Sequence, residues 1–243
     1  MSKISPTSTT ALLHGTISKL RQRRGSADFL FSDEQKRKLS LAVLADFISG
    51  NDGIGASLSS MSDITTERAD ILNFELDGKS VQVCVWASNF VEGDEVWVVA
   101  ENIQGKWTGY AIHRPADGLT AVYPHCTRGM FAHVKACVMW TFVVAFISYA
   151  FLMIVVYPTT DSWAEVVSFG MMAAPVALGL TSLFAIRGAW KFNKIVRMAE
   201  RIFTTFGWPN PKWVDLRSGV KKMKREGDPP SFGVSLFRYF PKK

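Results

Sequence analysis

Charge is missing from two long stretches of this chain, and that absence is its most informative feature. From 136 to 160 there are 25 consecutive residues without Asp, Glu, Lys or Arg, and from 166 to 186 another 21. A helix rising about 1.5 Å per residue needs roughly 20 apolar residues to cross about 30 Å of hydrocarbon. Both runs are long enough. A buried core helix of a soluble protein keeps some polar residues on its rim and is usually shorter. The pattern therefore predicts a transmembrane hairpin at 131–190, with spans at about 136–158 and 166–187.

Other absences narrow the function. Three cysteines, Cys84, Cys126 and Cys137, supply no disulfide framework and suit a reducing, cytoplasmic location for the soluble part. The first 40 residues hold no apolar signal segment, so the N-terminal domain is expected to stay on the side where it is made. No Gly-rich phosphate loop, nucleophile elbow or H-E-x-x-H pattern occurs. Asp94 and Glu95 are adjacent on an expected strand and so point to opposite faces, which does not suit a catalytic carboxylate pair. The densest group of metal-ligand types, His125, Cys126, His133 and Cys137, lacks the paired spacing of a zinc knuckle and reads as a juxtamembrane linker. The expectation is a non-enzyme with no cofactor and no metal.

What charge there is divides unevenly. Residues 1–135 carry 14 Lys/Arg against 15 Asp/Glu, whereas residues 187–243 carry 14 against four, a net of +10. A basic segment directly after a membrane span points to anionic lipid as partner before nucleic acid, which is not expected. Arg128, His133 and Lys135 precede the first span, and Arg187, Lys191, Lys194 and Arg197 follow the second. The connector between the spans has two acids and no base. The positive-inside rule then places both termini in the cytoplasm. Trp140 and Trp190 near the inner interface, and Tyr157 and Trp163 near the outer one, are the expected aromatic anchors.

The first span is bulky and aromatic, whereas the second is rich in small residues. Gly170, Ala174, Pro175 and Gly179 are the expected helix-packing positions, either within the hairpin or between protomers of a homo-oligomer. Pro175 removes one helical hydrogen bond and is a possible kink.

Ahead of the hairpin, 1–12 reads as a flexible polar leader and 13–130 as a soluble β-rich domain. His14 to Arg23 alternates like a strand, Gly25-Ser26 is a turn, and Ala27 to Phe31 is a second strand. Ser32-Asp33-Glu34-Gln35 is a capping box opening a helix to about Ser49, followed by a Gly/Ser-rich loop at 50–63. Asp77-Gly78 between two alternating runs is the best hairpin signal in the chain. Strands at 96–99, 107–113 and 119–123 complete a small barrel of OB-like or SH3-like kind with one helix. Trp86, Trp97, Trp107 and Tyr110 either form a stacking face for single strands or are core and hairpin aromatics; the net acidity of the domain favours the second.

Beyond the spans, 191–243 reads as a cationic amphipathic helix and tail. Phe192, Ile195, Val196, Ala199, Ile202, Phe203 and Phe206 repeat at helical spacing, with Lys191, Lys194, Arg197 and Arg201 off that stripe. The stripe has two possible destinations, the inner leaflet or the barrel. Lys221, Lys222, Lys224 and Arg225 form a basic cluster suited to a lipid surface, worth about 1 kcal/mol per charge there. The aromatics between Phe232 and Phe240 are expected to fold back on the soluble domain.

Several segments carry a family likeness. These are His14-Gly15-Thr16-Ile17-Ser18-Lys19-Leu20, Phe29-Leu30-Phe31-Ser32, Glu92-Gly93-Asp94-Glu95-Val96, His113-Arg114-Pro115 and Tyr123-Pro124-His125-Cys126-Thr127-Arg128-Gly129, followed by the hairpin. Over about 12–200 the chain resembles a group of small type VI secretion effectors of proteobacteria. The resemblance implies a bacterial inner-membrane protein of interbacterial competition, and it implies no chemistry. The leading expectation is an α+β membrane protein acting as a non-enzymatic effector that inserts into and perturbs the inner membrane. The alternative is a resident immunity or accessory protein whose cytoplasmic β-domain recruits a protein partner.

Overall fold

The computed structural model describes residues 10–26, 68–103, 105–160 and 162–241. The expected strand at 27–31, the capped helix after Ser32 and the loop at 50–63 lie outside these. Six strands come first: β1 (Thr10–Ser26), β2 (Arg68–Leu76), β3 (Lys79–Val85), β4 (Glu95–Ile103), β5 (Lys106–Arg114) and β6 (Leu119–Val122). Two long helices follow, α1 (Met130–Val156) and α2 (Trp163–Thr205), joined through a 3-10 turn at Tyr157–Thr159. A short α3 (Val220–Met223) and β7 (Leu236–Arg238) end the chain.

Local chemistry explains the β2–β3 hairpin. Asp77 and Gly78 both have positive φ, 48° and 80°, as a tight two-residue hairpin turn with the native strand twist requires. Leu76 then faces Lys79, and the pairing runs to Asp70 opposite Val85.

The barrel depends on β1, which is longer than the alternation at 14–23 predicts. Thr10–Leu12 belongs to it, not to a leader, and Gly25-Ser26 continues it instead of turning. Its first half pairs with β4, from Thr10 opposite Glu101 to Thr16 opposite Glu95. Its second half pairs with β2, from Ile17 opposite Leu76 to Ser26 opposite Arg68. The partner changes between Thr16 and Ile17, and an irregularity follows within the β2 pairing, between Ser18 and Arg21, where Lys19 has φ 52°. A bulge just past the switch adds to the bend of the strand.

Closure comes from a parallel pairing of β3 with β5, Val81 opposite Trp107 through Val83 opposite Gly109. A Cβ on Gly109 would overlap the Val83 and Val98 side chains, so glycine is what lets the strands meet there. The ring β1-β2-β3-β5-β4 is a closed five-stranded barrel of OB-like order. β6 and β7 extend one side of it. Its core includes Leu72, Val83, Val85, Val96, Val98 and Ile112, joined by Phe232 and Leu236 from the C-terminal tail.

The chain divides into two compact units: the barrel with 195–243, and the hairpin Met130–Lys194. The tail, expected as a segment of its own from 191, therefore belongs with the barrel. The reason is the apolar stripe, since Ile195, Val196, Ala199, Ile202, Phe203 and Phe206 are all buried, whereas Phe192 is half-buried and belongs to the hairpin unit. In the hairpin unit the situation is reversed. Met130–Thr159 and Trp163–Trp190 are each long and apolar enough to cross a membrane, and only 6% of the most apolar window of each is buried. A soluble core helix would bury most of that surface.

Candidate functional site

Gly170 is buried at the helix–helix contact, where an added Cβ would run into the Tyr149 hydroxyl and the Met153 side chain. Helical spacing carries this packed face on through half-buried Ala173, Ala177 and Thr181. Ala174, Pro175 and Gly179 lie a step around the helix and are exposed, with nothing within 4 Å of where a Gly179 Cβ would sit. Small residues announce close packing, but only the phase of the assembled helix decides which of them face the partner. α2 stays helical through Pro175. Trp140, Tyr157, Trp163 and Trp190, the expected anchors, are all exposed.

Nearer the Met130 end of α1 the helices part around a cavity of about 570 Å³. Val134, Val138, Phe142, Leu178, Ala185 and Ala189 give it apolar walls, and His133 and Asn193 line it as well. The His133 ring nitrogen Nε2 lies 3.5 Å from Cys137 Sγ, one helical turn away. Asn193 Oδ1 is buried and has no hydrogen-bond partner.

In the barrel unit, the tail is held by three kinds of contact. One is backbone pairing: Gly129 N–H donates to Val214 O at 2.9 Å and Leu216 N–H to Thr127 O at 3.0 Å, with Arg128 Nε donating to both Asp215 oxygens at 3.1 Å. The second is an aromatic stack. Trp208 lies against Phe203, Phe206 and Tyr239 and edge-on to His113. The third is a buried ion pair in which Arg238 grips Asp228 through both Nη atoms, with side chains 6% and 7% exposed.

His113 illustrates why a buried histidine is not by itself a catalyst. Thr120 Oγ1 donates to Gly118 O at 3.0 Å, so it must accept the 2.8 Å bond from His113, which places the proton on Nδ1. Burial lowers its pKa to about 4, against a smaller upward pull from Asp117, so the ring is neutral near pH 7. Arg114 is held well above its ordinary range, first by hydrogen bonding to Asp117 and then to Asp94, outweighing its burial.

The sequence-nominated side chains scatter. Trp97 packs on His113, Trp86 on His125, Trp107 against the core, and Tyr110 is fully buried with its hydroxyl donating to Glu101. The four therefore do not make one exposed stacking face. His125 is a turn residue with φ 66° after Pro124, and Cys126 is buried with its Sγ 3.8 Å from Ile195 O. Burial pushes the Cys84 thiol up to about 12, with Asp70 adding to it, and drives Cys126 higher still. Among the described residues no group of three or more His, Cys, Asp or Glu converges to hold a metal.

Lys194, Arg197, Lys221, Lys222, Lys224 and Arg225 are exposed and Arg201 is half-buried, while the Lys191 side chain lies outside the description. Two buried carboxylates had no sequence signal. Asp70 accepts from Ser88 N–H at 2.9 Å and Gln22 at 3.2 Å, and Glu101 from Thr10 at 2.9 Å. Asp70 is in phase with Leu72, Phe74 and Leu76 and Glu101 with Trp97 and Val99, but both fall beyond the alternating runs that the sequence marks. No protein-family model, curated protein or solved structure matches the chain, so its function must be argued from these two units alone.

Proposed function

We propose that this chain is a non-enzymatic protein of the bacterial inner membrane, anchored by the hairpin, whose OB-like barrel recruits a protein partner at the cytoplasmic face. The outward-turned apolar surface of the two helices carries the reading. Burying it in hydrocarbon offsets what would otherwise be an exposed apolar area far larger than soluble monomers tolerate. The basic residues at both inner flanks orient the hairpin with its ends in the cytoplasm. Barrels of this order present binding surfaces, though their fold alone names no ligand.

In cells, the chain should remain in the membrane pellet after alkaline carbonate extraction, and tags at either terminus should be protected from periplasmic protease. Recovery in the soluble fraction would sink the proposal. Photo-crosslinkers on the barrel should then capture one protein reproducibly from intact cells.

The effector reading, carried by the resemblance, differs at one measurable point. An inserted effector should release ions from liposomes at low protein:lipid ratio, whereas a resident anchor should leave them sealed.

A further inference from the structure

Trp213 is 59% exposed in a segment otherwise held tightly to the barrel unit. We propose that it is an interfacial anchor which, with Arg128, Lys212 and Arg217, docks the barrel unit on the anionic headgroups of the cytoplasmic leaflet. The inference rests on the membrane reading above and adds to it the surface by which the barrel unit meets the bilayer. Sequence patterning nominated the basic residues at 191–201 and 221–225 instead.

Position is the first argument. The barrel unit joins the hairpin at two residues, Gly129 and Ile195. Six residues, about 9 Å of helix, separate Met130 from the charge-free run at Ala136. Five residues, about 8 Å, separate Trp190, at the end of the second span, from Ile195. The headgroup layer is roughly 5–8 Å deep, so with the spans in hydrocarbon both joints lie at its outer edge. Trp213 is fixed beside the first joint. Gly129 N–H donates to Val214 O at 2.9 Å, and a Cβ on Gly129 would strike the Pro211 and Lys212 backbone. Residues on both sides of Trp213 therefore touch the joint. The second joint is close by, since Cys126, three residues before Gly129, has its Sγ 3.8 Å from Ile195 O.

Presentation is the second argument. Trp213 closes the 3-10 turn Pro211–Trp213, and its N–H donates to Asn210 O at 2.8 Å. Val214 and Leu216 beside it are buried. The turn is thus anchored through its neighbours, and the indole is turned outward. Trp is highly buried on average in soluble domains and is enriched at membrane interfaces, where its ring is apolar and its N–H wet. Charge completes the match. Between 201 and 225 the only acid in the sequence is Asp215, and Arg128 donates to both of its oxygens. Exposed Lys212 and Arg217 complement lipid phosphates. A tryptophan that faces a protein partner needs neither this basic setting nor this nearness to a span.

The test uses the full chain, labelled with 5-fluorotryptophan, in nanodiscs of phosphatidylcholine with or without an equal part of phosphatidylglycerol. A nitroxide-headgroup lipid broadens fluorine signals that lie near the surface. The Trp213 signal, assigned by its loss in Trp213→Phe, should broaden more when phosphatidylglycerol is present. Trp107 should stay sharp, because its strand partner Val81 lies five residues, about 17 Å, along β3 from the Trp86 that packs on His125. Lys212→Ala should lower the ratio of docked to undocked chains about fivefold, with the thermal melt unchanged. A Trp213 signal that ignores the nitroxide, one that broadens no more than Trp107, or one indifferent to phosphatidylglycerol and to Lys212→Ala would each overturn the inference. Trp140 and Trp190 separate the two readings. If they also stay sharp, the membrane reading fails; if they broaden and Trp213 does not, only the inference does.

Discussion

Removing Arg238 should unfasten the tail. Its guanidinium is bonded to Asp228 at 2.6 Å through Nη2, donates from Nη1 to Met223 O at 2.9 Å, and lies 4.9 Å over the Phe232 ring. Both partners of the pair are nearly inaccessible. Arg238→Met keeps the apolar stem but leaves the Asp228 carboxylate buried and unpaired, a loss of about 3–5 kcal/mol. For a unit of this size that is a drop in melting temperature of roughly 10 °C. Hydrogen exchange should accelerate first at Leu119, Thr120 and Ala121, which pair with β7. Adding Asp228→Leu should recover most of the loss, because a buried pair replaced by apolar groups is near neutral. That recovery is all the more expected because Arg238 Nε is itself buried without a partner. The measurement is a thermal melt in mild detergent followed by circular dichroism. A single variant within about 2 °C of the parent, or a double variant no better than the single, would refute the reasoning.

Acid should weaken the barrel unit through His113. Its folded pKa of about 4 lies below the ordinary 6.5, so the unfolded chain takes up the proton first. Stability from this site is complete above pH 6.5 and is lost as the pH falls towards 4; His113→Gln should flatten that part of a pH–melting profile. Gly129→Ala should destabilise by about 1–3 kcal/mol in the same melt, since a Cβ there would strike the Pro211 and Lys212 backbone. Gly170→Leu should lower the melting point of the hairpin, and Gly179→Leu, facing open space, should leave it unchanged. Cys84 and Cys126 should resist maleimide at pH 7.5 in the folded protein and label fully after denaturation.

Much of this molecule was legible because its signals are local. A helix long and apolar enough to cross a membrane needs only its own twenty-odd residues, and the Asp77-Gly78 turn and the alternation of β4 and β5 need fewer still. The apolar stripe from Ile195 to Phe206 was equally plain, yet a stripe records that a helix face is covered and not by what. The same holds for Trp86, Trp97, Trp107 and Tyr110, whose side chains look alike in sequence and part company in the fold. Asp70 and Glu101 were invisible as buried groups, because what satisfies them comes from Ser88, Gln22 and Thr10 on other segments.

By itself, the sequence determined the two long uncharged helices, their basic flanks, the tight hairpin and the small residues that let helices approach. Each follows from hydration or backbone preference within a few turns of chain. Tertiary structure alone decided that β1 bends to serve both β2 and β4, and that β3 and β5 close the ring at Gly109. It also sent the stripe and the Phe232–Phe240 aromatics to the barrel, and selected Gly170 over Gly179 as the packed glycine. Those outcomes depend on which surfaces meet, and a meeting of distant segments leaves no mark on either segment alone.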